Sequence, residues 1–376
     1  MLPYLSLFLI VTLLAIIVSV SKNKGLNIIL ITLIILILSI FGGARNLNIG
    51  TDVSVYGNPW FEIACSYNNV IDYINHINSS DIGYVLLNYI VSRFTNNVNI
   101  FLFVLQLISN SLILITLYKH KEKSPFWLAT LAYICIYYCI SFNILRQSIA
   151  LAFVFYSINF LEKKKDIPFF ITIIIAAQFH YTAYFTLIIY LIYKLMISKK
   201  IKNKKNILVS MVLISTITVI FLKEILTLLY QFNIINYRIY NYIFNASTTS
   251  LNFNYIEILF KVFFIFLYLL SNKWNTQKDK QDIIFIAFIL LEFILYQTKA
   301  IISYTDRLAF YFGYFSMISY PMIIKQFSQR RENKLIIRII SIAIFLIYWY
   351  YKFVYSGSCE VFPYESNIFN NLKIML

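Results

Sequence analysis

Long apolar runs recur along almost the whole chain, and no long polar domain separates them. Ile28–Ile40 and Ile336–Tyr350 are typical of these runs, and both are rich in isoleucine. Hydrophobic residues make up 60% of the 376 positions and charged residues only 13%, which is more apolar surface than a soluble core of this size needs. A bundle surrounded by lipid does need it, because every lipid-facing position must be apolar. The pattern therefore predicts an all-α, polytopic membrane protein that forms one integral domain over residues 1–376.

A helix needs about 20 residues to cross about 30 Å of hydrocarbon. We interpret the first run, Leu5–Val20, as a retained span, because it lacks the basic start and the clear cleavage site of a signal peptide. Twelve passes are predicted, with both chain ends outside and with outer-face loops at about residues 42–97 and 231–254. The spans outside the ambiguous 167–193 segment are Tyr4–Val20, Leu26–Phe41, Val98–Tyr118, Phe126–Ile140, Ile144–Leu161, Asn206–Tyr230, Tyr255–Ser271, Ile283–Gln297, Leu308–Ile324 and Leu335–Tyr355.

The segment Ile167–Tyr193 can be a single span or a pair of short arms. As one span it would place the lysines of 163–165 and 194–205 on opposite sides of the membrane, against the positive-inside rule. Two arms turning near Gln178–Thr182 return both clusters to the cytoplasm. Each arm of about 14 residues is about 21 Å long, which suits a helix lining a water-filled cavity. We therefore predict a hairpin, with His180 at the floor of an outward-facing cavity.

Basic residues give a net charge of +16, and lysine and arginine are distributed differently. The lysines lie in short clusters between apolar runs, which indicates membrane orientation and not nucleic-acid binding. In the predicted topology 19 of the 24 lysines face the cytoplasm, whereas five of the eight arginines do not. The planar guanidinium binds phosphate or carboxylate through two parallel hydrogen bonds, so outer arginines predict an anionic ligand there. They are Arg45, Arg93, Arg146, Arg238 and Arg307.

The first candidate cluster lies in residues 42–56, directly after the second predicted span. Its glycines allow the backbone to turn and to approach a ligand closely. Asp52 and Tyr56 are four residues apart and share a face if the segment is helical. We predict that Arg45, Thr51, Asp52 and Tyr56 contact substrate. The alternative is that Thr51 or Asp52 simply caps an interfacial helix, and both roles are compatible.

The second cluster lies at the outer end of a predicted span. Asn143, Arg146, Gln147 and Ala150 fall on one helical face. An arginine in an apolar span is costly and is by default a candidate functional residue. It can alternatively extend toward lipid headgroups. The neighbouring amides favour a bound polar ligand.

The third cluster centres on His180. A lone histidine in a membrane segment is often a packing residue, but at a cavity floor its imidazole can bind phosphate or accept a proton. His76 lies in a loop and His120 in a basic turn, so we expect no metal and no other cofactor. The four cysteines show no metal-binding spacing, although Cys65 and Cys359 both fall outside, where a disulfide is an open alternative.

The fourth cluster, beginning at Tyr304, opens a late span. Arg307 and Tyr311 are four residues apart and share a helical face. Aromatic side chains at this depth either anchor the helix in the interface or stack on sugar rings, and the sequence leaves both open. Arg238 in an outer loop and Tyr364 in the tail repeat this pairing of aromatic and polar groups more weakly.

Taken in order, these motifs resemble the EpsG family of bacterial membrane proteins, which act in exopolysaccharide, capsule and O-antigen synthesis and are grouped with Wzy-type polymerases. The residue pair after His180 departs from the family pattern. The motifs that carry the resemblance are Gly50-Thr-Asp52 to Tyr56, Asn143 to Gln147 and Ala150, Phe179 to Thr182, Arg307 and Pro363-Tyr364.

The resemblance implies polymerisation of oligosaccharide repeat units carried on undecaprenyl pyrophosphate, at the outer face of the cytoplasmic membrane. It implies a fold similar to the glycosyltransferases of the GT-C-like class, which use lipid-phosphate donors. As partners it implies the lipid-linked oligosaccharide, the bilayer, and a chain-length regulator and flippase of the same pathway. Asp52, Arg146, His180 and Arg307 are the expected catalytic residues. Arginines would neutralise the diphosphate leaving group, and Asp52 or His180 would act on the acceptor hydroxyl.

Three other functions remain open at the level of sequence. A ligase that moves a finished glycan to another acceptor would use nearly the same site. A flippase-type transporter would be polytopic and basic too, but should carry charges through the centre of the bundle. An acyltransferase would place its charged residues toward a cytoplasmic donor. The outer placement of the arginines favours polymerase or ligase.

Overall fold

The computed structural model describes residues 1–198, 204–233, 237, 240, 255–270, 282–300, 306–329 and 334–375, and those residues form helices joined by turns. Two compact units are distinguished by their internal contacts. Unit 1 comprises residues 1–187 and 320–376, and unit 2 comprises residues 188–319. Each unit is described separately below.

Unit 1 is built on long apolar helices, because only a helix pairs all backbone polar groups inside one lipid-exposed segment. Among the residues that the structure describes, four helices are long and apolar enough to cross a membrane: Leu2–Val20, Lys24–Gly43, Val98–Lys119 and Leu335–Tyr355. Up to residue 187 the α-helices of unit 1 are α1 Leu2–Val20, α2 Lys24–Gly43, α3 Asn58–Ser66, α4 Val70–Ile77, α5 Ile82–Ser92, α6 Val98–Lys119, α7 Phe126–Tyr133, α8 Leu145–Glu162 and α9 Asp166–Phe179.

Asparagine caps start several of these helices at the positions where the apolar pattern begins. Asn23 accepts a hydrogen bond from the Leu26 N–H over 3.1 Å and starts α2. Asn97 accepts one from the Asn99 N–H over 2.9 Å and starts α6. Such caps satisfy backbone donors that have no partner within the helix.

Residues 42–97, predicted as a polar outer loop, contain the three short helices α3, α4 and α5. These helices are held in place because their apolar faces are buried against the bundle. Phe61 of α3 stacks on Phe101 of α6 with ring centroids 5.0 Å apart. Tyr84 of α5 meets the same ring edge-on at 5.8 Å. The region is therefore a packed helical cap on the bundle.

Polar contacts show which helix ends of unit 1 lie together, and they define two opposite ends of the unit. At one end the Trp127 N–H donates to Ser19 Oγ over 3.1 Å. There too, Lys123 Nζ lies 2.7 Å from a carboxylate oxygen of Glu162. This lysine end carries the turns of residues 21–24, 119–124 and 162–165.

The opposite end of unit 1 carries the polar cap and the start of α8. The Asn99 side chain donates to the Gly43 carbonyl over 2.7 Å. The Leu145 N–H donates to the Asp52 carboxylate over 3.1 Å. We call this the site end, because the first three clusters of the sequence meet here. Lysine-bearing turns and candidate functional residues thus lie at opposite ends of the same helices.

The helix break expected near Gln178–Thr182 is confirmed. α9 ends at Phe179, and His180 has an extended backbone with φ −155° and ψ 115°. A short 3-10 helix, Tyr181–Thr186, leads into the next helix. That both arms return to one side of the membrane stays a prediction, as do the twelve passes.

Among its described residues unit 2 contains shorter helices than predicted. The expected span Asn206–Tyr230 is interrupted at Phe221, whose φ of −97° and ψ of 24° are not helical. The expected span Leu308–Ile324 is divided by a turn after Gly313. From residue 187 onward the α-helices of the two units are α10 Leu187–Ile197, α11 Lys204–Ile220, α12 Leu222–Gln231, α13 Tyr255–Leu270, α14 Asp282–Tyr296, α15 Asp306–Gly313, α16 Ser316–Gln329, α17 Lys334–Trp349 and α18 Asn367–Met375.

Candidate functional site

The start of α8 is held by the carboxylate of Asp52. The side chain of Ile144 makes no cap, and the Leu145 N–H donates instead to Asp52 Oδ2 over 3.1 Å. In return, the Asp52 N–H donates to Asn143 Oδ1 over 3.3 Å. The local cap considered for Asp52 is not formed, because its side chain makes no cap bond to the short helix Val53–Gly57. It caps instead a helix that begins 93 residues later. This exchange joins the first two clusters and sets a carboxylate against the positive end of a helix dipole.

Arg146, in the first turn of α8, is fixed by aromatic and acidic groups. Its guanidinium carbon lies 3.8 Å from the ring centroid of Tyr56 and 5.4 Å from that of Trp60. Its Nη1 lies 2.8 Å from Asp81 Oδ2. The side chain is 17% exposed, and its Nε makes no hydrogen bond to any part of the chain that the structure describes. Arg146 thus has a fixed orientation and keeps hydrogen-bonding capacity.

The turn at His180 is joined to the same group of residues through Asp81. The Tyr181 N–H donates to Asp81 Oδ1 over 3.2 Å. His180 Nδ1 lies 2.7 Å from Thr182 Oγ1, and the imidazole stacks on the Tyr181 ring at 5.4 Å. The third cluster therefore meets the second through one carboxylate. His180 is half-buried, and its predicted place at the floor of a cavity stays a prediction.

Burial dominates the electrostatics around this carboxylate. It raises the pKa of Asp81 above its ordinary value, although the charge and hydrogen bond of Arg146 and the hydrogen bond from Tyr181 oppose the shift. Burial also raises the pKa of Tyr84, and the negative charge of Asp52 adds to it while Arg146 lowers it. The phenol of Tyr84 therefore belongs to the same electrostatic environment.

Arg45 was expected to contact substrate, and the structure places it differently. Its side chain is fully buried. The guanidinium lies 4.5 Å from the Phe142 ring centroid and donates to the carbonyls of Gly42, Ile49 and Phe142. Burial lowers the pKa of Arg45 to about 10. With its donors on backbone carbonyls, Arg45 shapes the loop before Asp52 and does not face a ligand.

Thr51 and Tyr364 tie the C-terminal segment to the loop that carries Asp52. Thr51 Oγ1 donates to Glu360 Oε2 over 2.9 Å, and the Gly50 N–H donates to the Glu360 carbonyl over 3.2 Å. The Tyr364 hydroxyl donates to the Phe41 carbonyl over 2.8 Å, and the two rings stack at 4.0 Å. Thr51 stays exposed toward the site end, whereas Tyr364 has an anchoring role.

With this geometry in place, comparison with known proteins gives the family. The sequence model of the EpsG family matches residues 28–366, nearly the whole chain. The chain belongs to the EpsG family. EpsG is a family of Wzy-type polymerases, so this is a membrane protein of polysaccharide biosynthesis with a glycosyltransferase-like activity. No curated protein and no solved structure matches the chain.

In this EpsG protein, the predicted site residues of unit 2 that the structure describes differ in burial. Arg307 lies in the first turn of α15 and is half-buried. Tyr311, one turn later, is fully buried, which is at odds with the expected stacking on a sugar. Beside Arg307, Asp306 forms an ion pair of 3.2 Å with Lys299. That Arg307 and Arg146 act on one ligand stays a prediction.

The remaining residues predicted from the sequence are one side chain of α8, two residues outside the described part of the chain, and two cysteines. Gln147 follows Arg146 in α8 and is buried, at 2% exposure. Arg238 and Tyr304 lie outside the described residues. The thiols of Cys65 and Cys359 are free, so the alternative of a disulfide between them is not realised.

Two features of this EpsG protein were missed by the sequence analysis. Asp81 lies in a polar stretch and carries no local signal beyond the cap position before α5. The second feature is a buried charge cluster in unit 2, in which Lys261 Nζ lies 3.0 Å from Glu292 Oε1 and 4.0 Å from Glu257 Oε2. The Tyr296 hydroxyl donates to Glu257 over 3.3 Å. Charged residues inside predicted spans were the available signal for this cluster.

Proposed function

We propose that the chain polymerises oligosaccharide repeat units carried on undecaprenyl pyrophosphate, at the outer face of the bacterial cytoplasmic membrane. Family membership supports a polymerase of polysaccharide biosynthesis. The position of the candidate residues supports the outer face. They lie opposite the lysine-bearing turns, and the positive-inside rule assigns those turns to the cytoplasm. Lipid-linked sugars are available on the outer side, whereas nucleotide sugars are not.

The observation that carries this proposal is the state of Arg146. One ion pair and two aromatic rings hold its guanidinium, and the buried Nε has no hydrogen-bond partner among the described residues. A buried N–H without a partner costs about 1–3 kcal/mol. A phosphate oxygen would recover that cost and would match the planar arrangement of donors. A diphosphate is therefore the ligand class that best completes this side chain.

In the proposed reaction the acceptor hydroxyl oxygen attacks the anomeric carbon of the growing chain. The bond between that carbon and the diphosphate oxygen breaks, and the diphosphate leaves with the bonding electrons. Arg146 stabilises the charge that develops on it. Asp52 takes the proton of the acceptor hydroxyl, and His180 hydrogen-bonds the diphosphate or the acceptor. That Arg307 acts on the same diphosphate stays a prediction from the sequence, and the proposed reaction uses no metal ion.

The test supplies the purified, reconstituted protein with synthetic undecaprenyl-pyrophosphate-linked repeat units and separates the products by gel. A ladder of polymer lengths is expected. Arg146→Lys should reduce polymer yield about 10²–10³-fold, because lysine keeps the charge but loses the paired N–H donors.

Arg93→Lys is the matched control. Arg93 also lies at the site end and stacks on a tyrosine, Tyr89, at 4.4 Å. Its guanidinium donates to the Ala64 carbonyl and to Ser92 Oγ, so its donors are used within the protein. The control should retain the ladder. Unchanged single repeat units with wild-type protein, or full activity of Arg146→Lys, would contradict the proposal.

Two alternatives predict other products. A ligase would transfer a single glycan to a separate acceptor and give no ladder. A transporter would move labelled lipid-linked sugar between leaflets without forming a glycosidic bond. One observation favours a transporter, namely the buried cluster of Glu257, Lys261 and Glu292. These residues occupy the first two turns of α13 and the last two turns of α14, so they lie toward one end of these helices and do not continue through their middle. For this reason the polymerase remains the preferred function.

A further inference from the structure

Asp81 is a buried acid that the proposed reaction does not yet use. Its side chain is 3% exposed. Oδ2 lies 2.8 Å from Arg146 Nη1, 65 residues along the chain. Oδ1 accepts the Tyr181 N–H, 100 residues along the chain, over 3.2 Å. A single carboxylate thus contacts both the arginine and the turn that carries His180.

The position of Asp81 would normally favour a different hydrogen bond. It occupies the cap position of α5, where an aspartate usually accepts a backbone N–H of the next turn. Here its side chain makes no such cap. The helix therefore starts without the stabilisation that such a cap usually gives. Both oxygens are committed to distant partners, which indicates a role at the site end and not in starting α5.

A glycine two residues later makes this reach possible. A Cβ on Gly83 would lie 2.8 Å from the Gln178 Cβ and 3.0 Å from the Gln178 carbonyl carbon. Contacts this short are not tolerated, so the first turn of α5 approaches the end of α9 only because residue 83 lacks a side chain. That approach brings Asp81 within hydrogen-bond distance of Tyr181.

We propose that Asp81 is a positioning residue that holds Arg146 and the His180 turn in one fixed arrangement for a diphosphate ligand. The inference rests on the proposed function for the identity of the ligand, but the mechanical link is independent of it. Asp81 orients the guanidinium through Nη1, and Nε keeps no partner among the described residues and is the donor we assign to the ligand. A guanidinium fixed before binding loses less entropy when the ligand arrives. Without Asp81, Arg146 would have to be ordered by the substrate itself.

The first measurement is amide hydrogen exchange over residues 178–186 in the full-length protein without ligand. Asp81→Asn should speed exchange in this peptide, because a neutral amide is a weaker acceptor for the Tyr181 N–H. Gly83→Ala should do the same by forcing α5 away from α9. Asp72→Asn, which removes an exposed acid from α4, is the control and should leave exchange unchanged.

The second measurement is binding of undecaprenyl pyrophosphate to the same variants and to Arg146→Lys. Asp81→Asn should weaken binding about tenfold or more. Because Asp81 acts through Arg146, the double variant should bind no more weakly than Arg146→Lys alone. A merely structural role would instead make the two effects add. Asp81→Glu, which keeps the charge, should recover part of the affinity.

The outcomes separate the two proposals. If wild-type protein fails to bind undecaprenyl pyrophosphate while Asp81→Asn still speeds exchange, the proposed function is wrong and the link through Asp81 stands. If exchange at residues 178–186 is the same in Asp81→Asn as in wild type, or if the binding effects add, the positioning role is overturned. Should Asp81→Asn fail to fold, Gly83→Ala and Asp81→Glu decide by the same criteria.

Discussion

Replacing Asp52 by asparagine separates its two roles, helix capping and proton transfer. The carboxylate caps α8 through the Leu145 N–H, and in the proposed reaction it also acts on the acceptor hydroxyl. Asparagine keeps an oxygen that accepts the same N–H but has no charge and no basic oxygen. Alanine removes the cap as well. The two variants should therefore differ in stability and agree in activity.

The magnitudes follow from the geometry at the start of α8. Loss of a cap to alanine costs about 0.5–2 kcal/mol. Loss of the charge at a helix N-terminus, which Asp52→Asn causes while keeping the oxygen that caps α8, costs about 0.3–1 kcal/mol. One kcal/mol shifts the unfolding midpoint by about 2–4 °C in a chain of 150–250 residues, and by less in a longer one. Asp52→Ala should unfold a few degrees early, and Asp52→Asn within about 2 °C of wild type.

The assay combines thermal unfolding in detergent with polymer yield in vesicles. Both Asp52 variants should lose about 10²–10⁴-fold in yield, the usual contribution of a positioned general base. Asn69→Ala is the cap-only control. Asn69 caps α4 by accepting the Ile71 N–H over 2.9 Å and is not part of the site. It should lower the midpoint without abolishing the ladder.

Two results would refute this reasoning. Wild-type polymer yield from Asp52→Asn would mean that Asp52 serves only as a cap. Equal unfolding midpoints for Asp52→Ala and Asp52→Asn would mean that the bond to Leu145 contributes no stability, and that α8 starts for another reason.

Two further predictions concern stability. Burial raises the pKa of Glu162, but the hydrogen bonds and charges of His120 and Lys123 outweigh it and lower the pKa to about 2. Because the folded pKa lies below the ordinary 4.5, the charged Glu162 stabilises the fold by at most about 3 kcal/mol. This stabilisation is complete above pH 4.5 and is lost as the pH falls toward 2. When the unfolding midpoint is measured against falling pH, Glu162→Gln should therefore show a smaller drop than wild type. Gly50 has a φ of +88°, and a Cβ added there would lie 2.3 Å from the Phe142 carbonyl oxygen. Gly50→Ala should therefore reduce the yield of folded protein, measured by size-exclusion chromatography. Gly25→Ala, where an added Cβ meets no such contact, should not.

Sequence alone determined the membrane class, the helical architecture and the break at His180. Apolar length and lysine clustering are properties of contiguous residues, and the bilayer converts them directly into helix positions and ends. The association of Asp52, Arg146 and His180 with one end followed from the same reasoning. In unit 1 the contacts of Asp81 with Arg146 and with the turn at His180 agree with this association. Placement of Arg307 at that site stays a prediction.

Only the tertiary structure decided which polar groups meet. Arg45 and Tyr311 carry the same sequence signals as ligand-binding residues, yet both are fully buried. Asp81 carries almost no signal, yet it contacts partners 65 and 100 residues away. The physical reason is that spacing along a helix fixes only which residues share a face. Whether that face meets a ligand, a carbonyl or another charge depends on packing between helices distant in sequence.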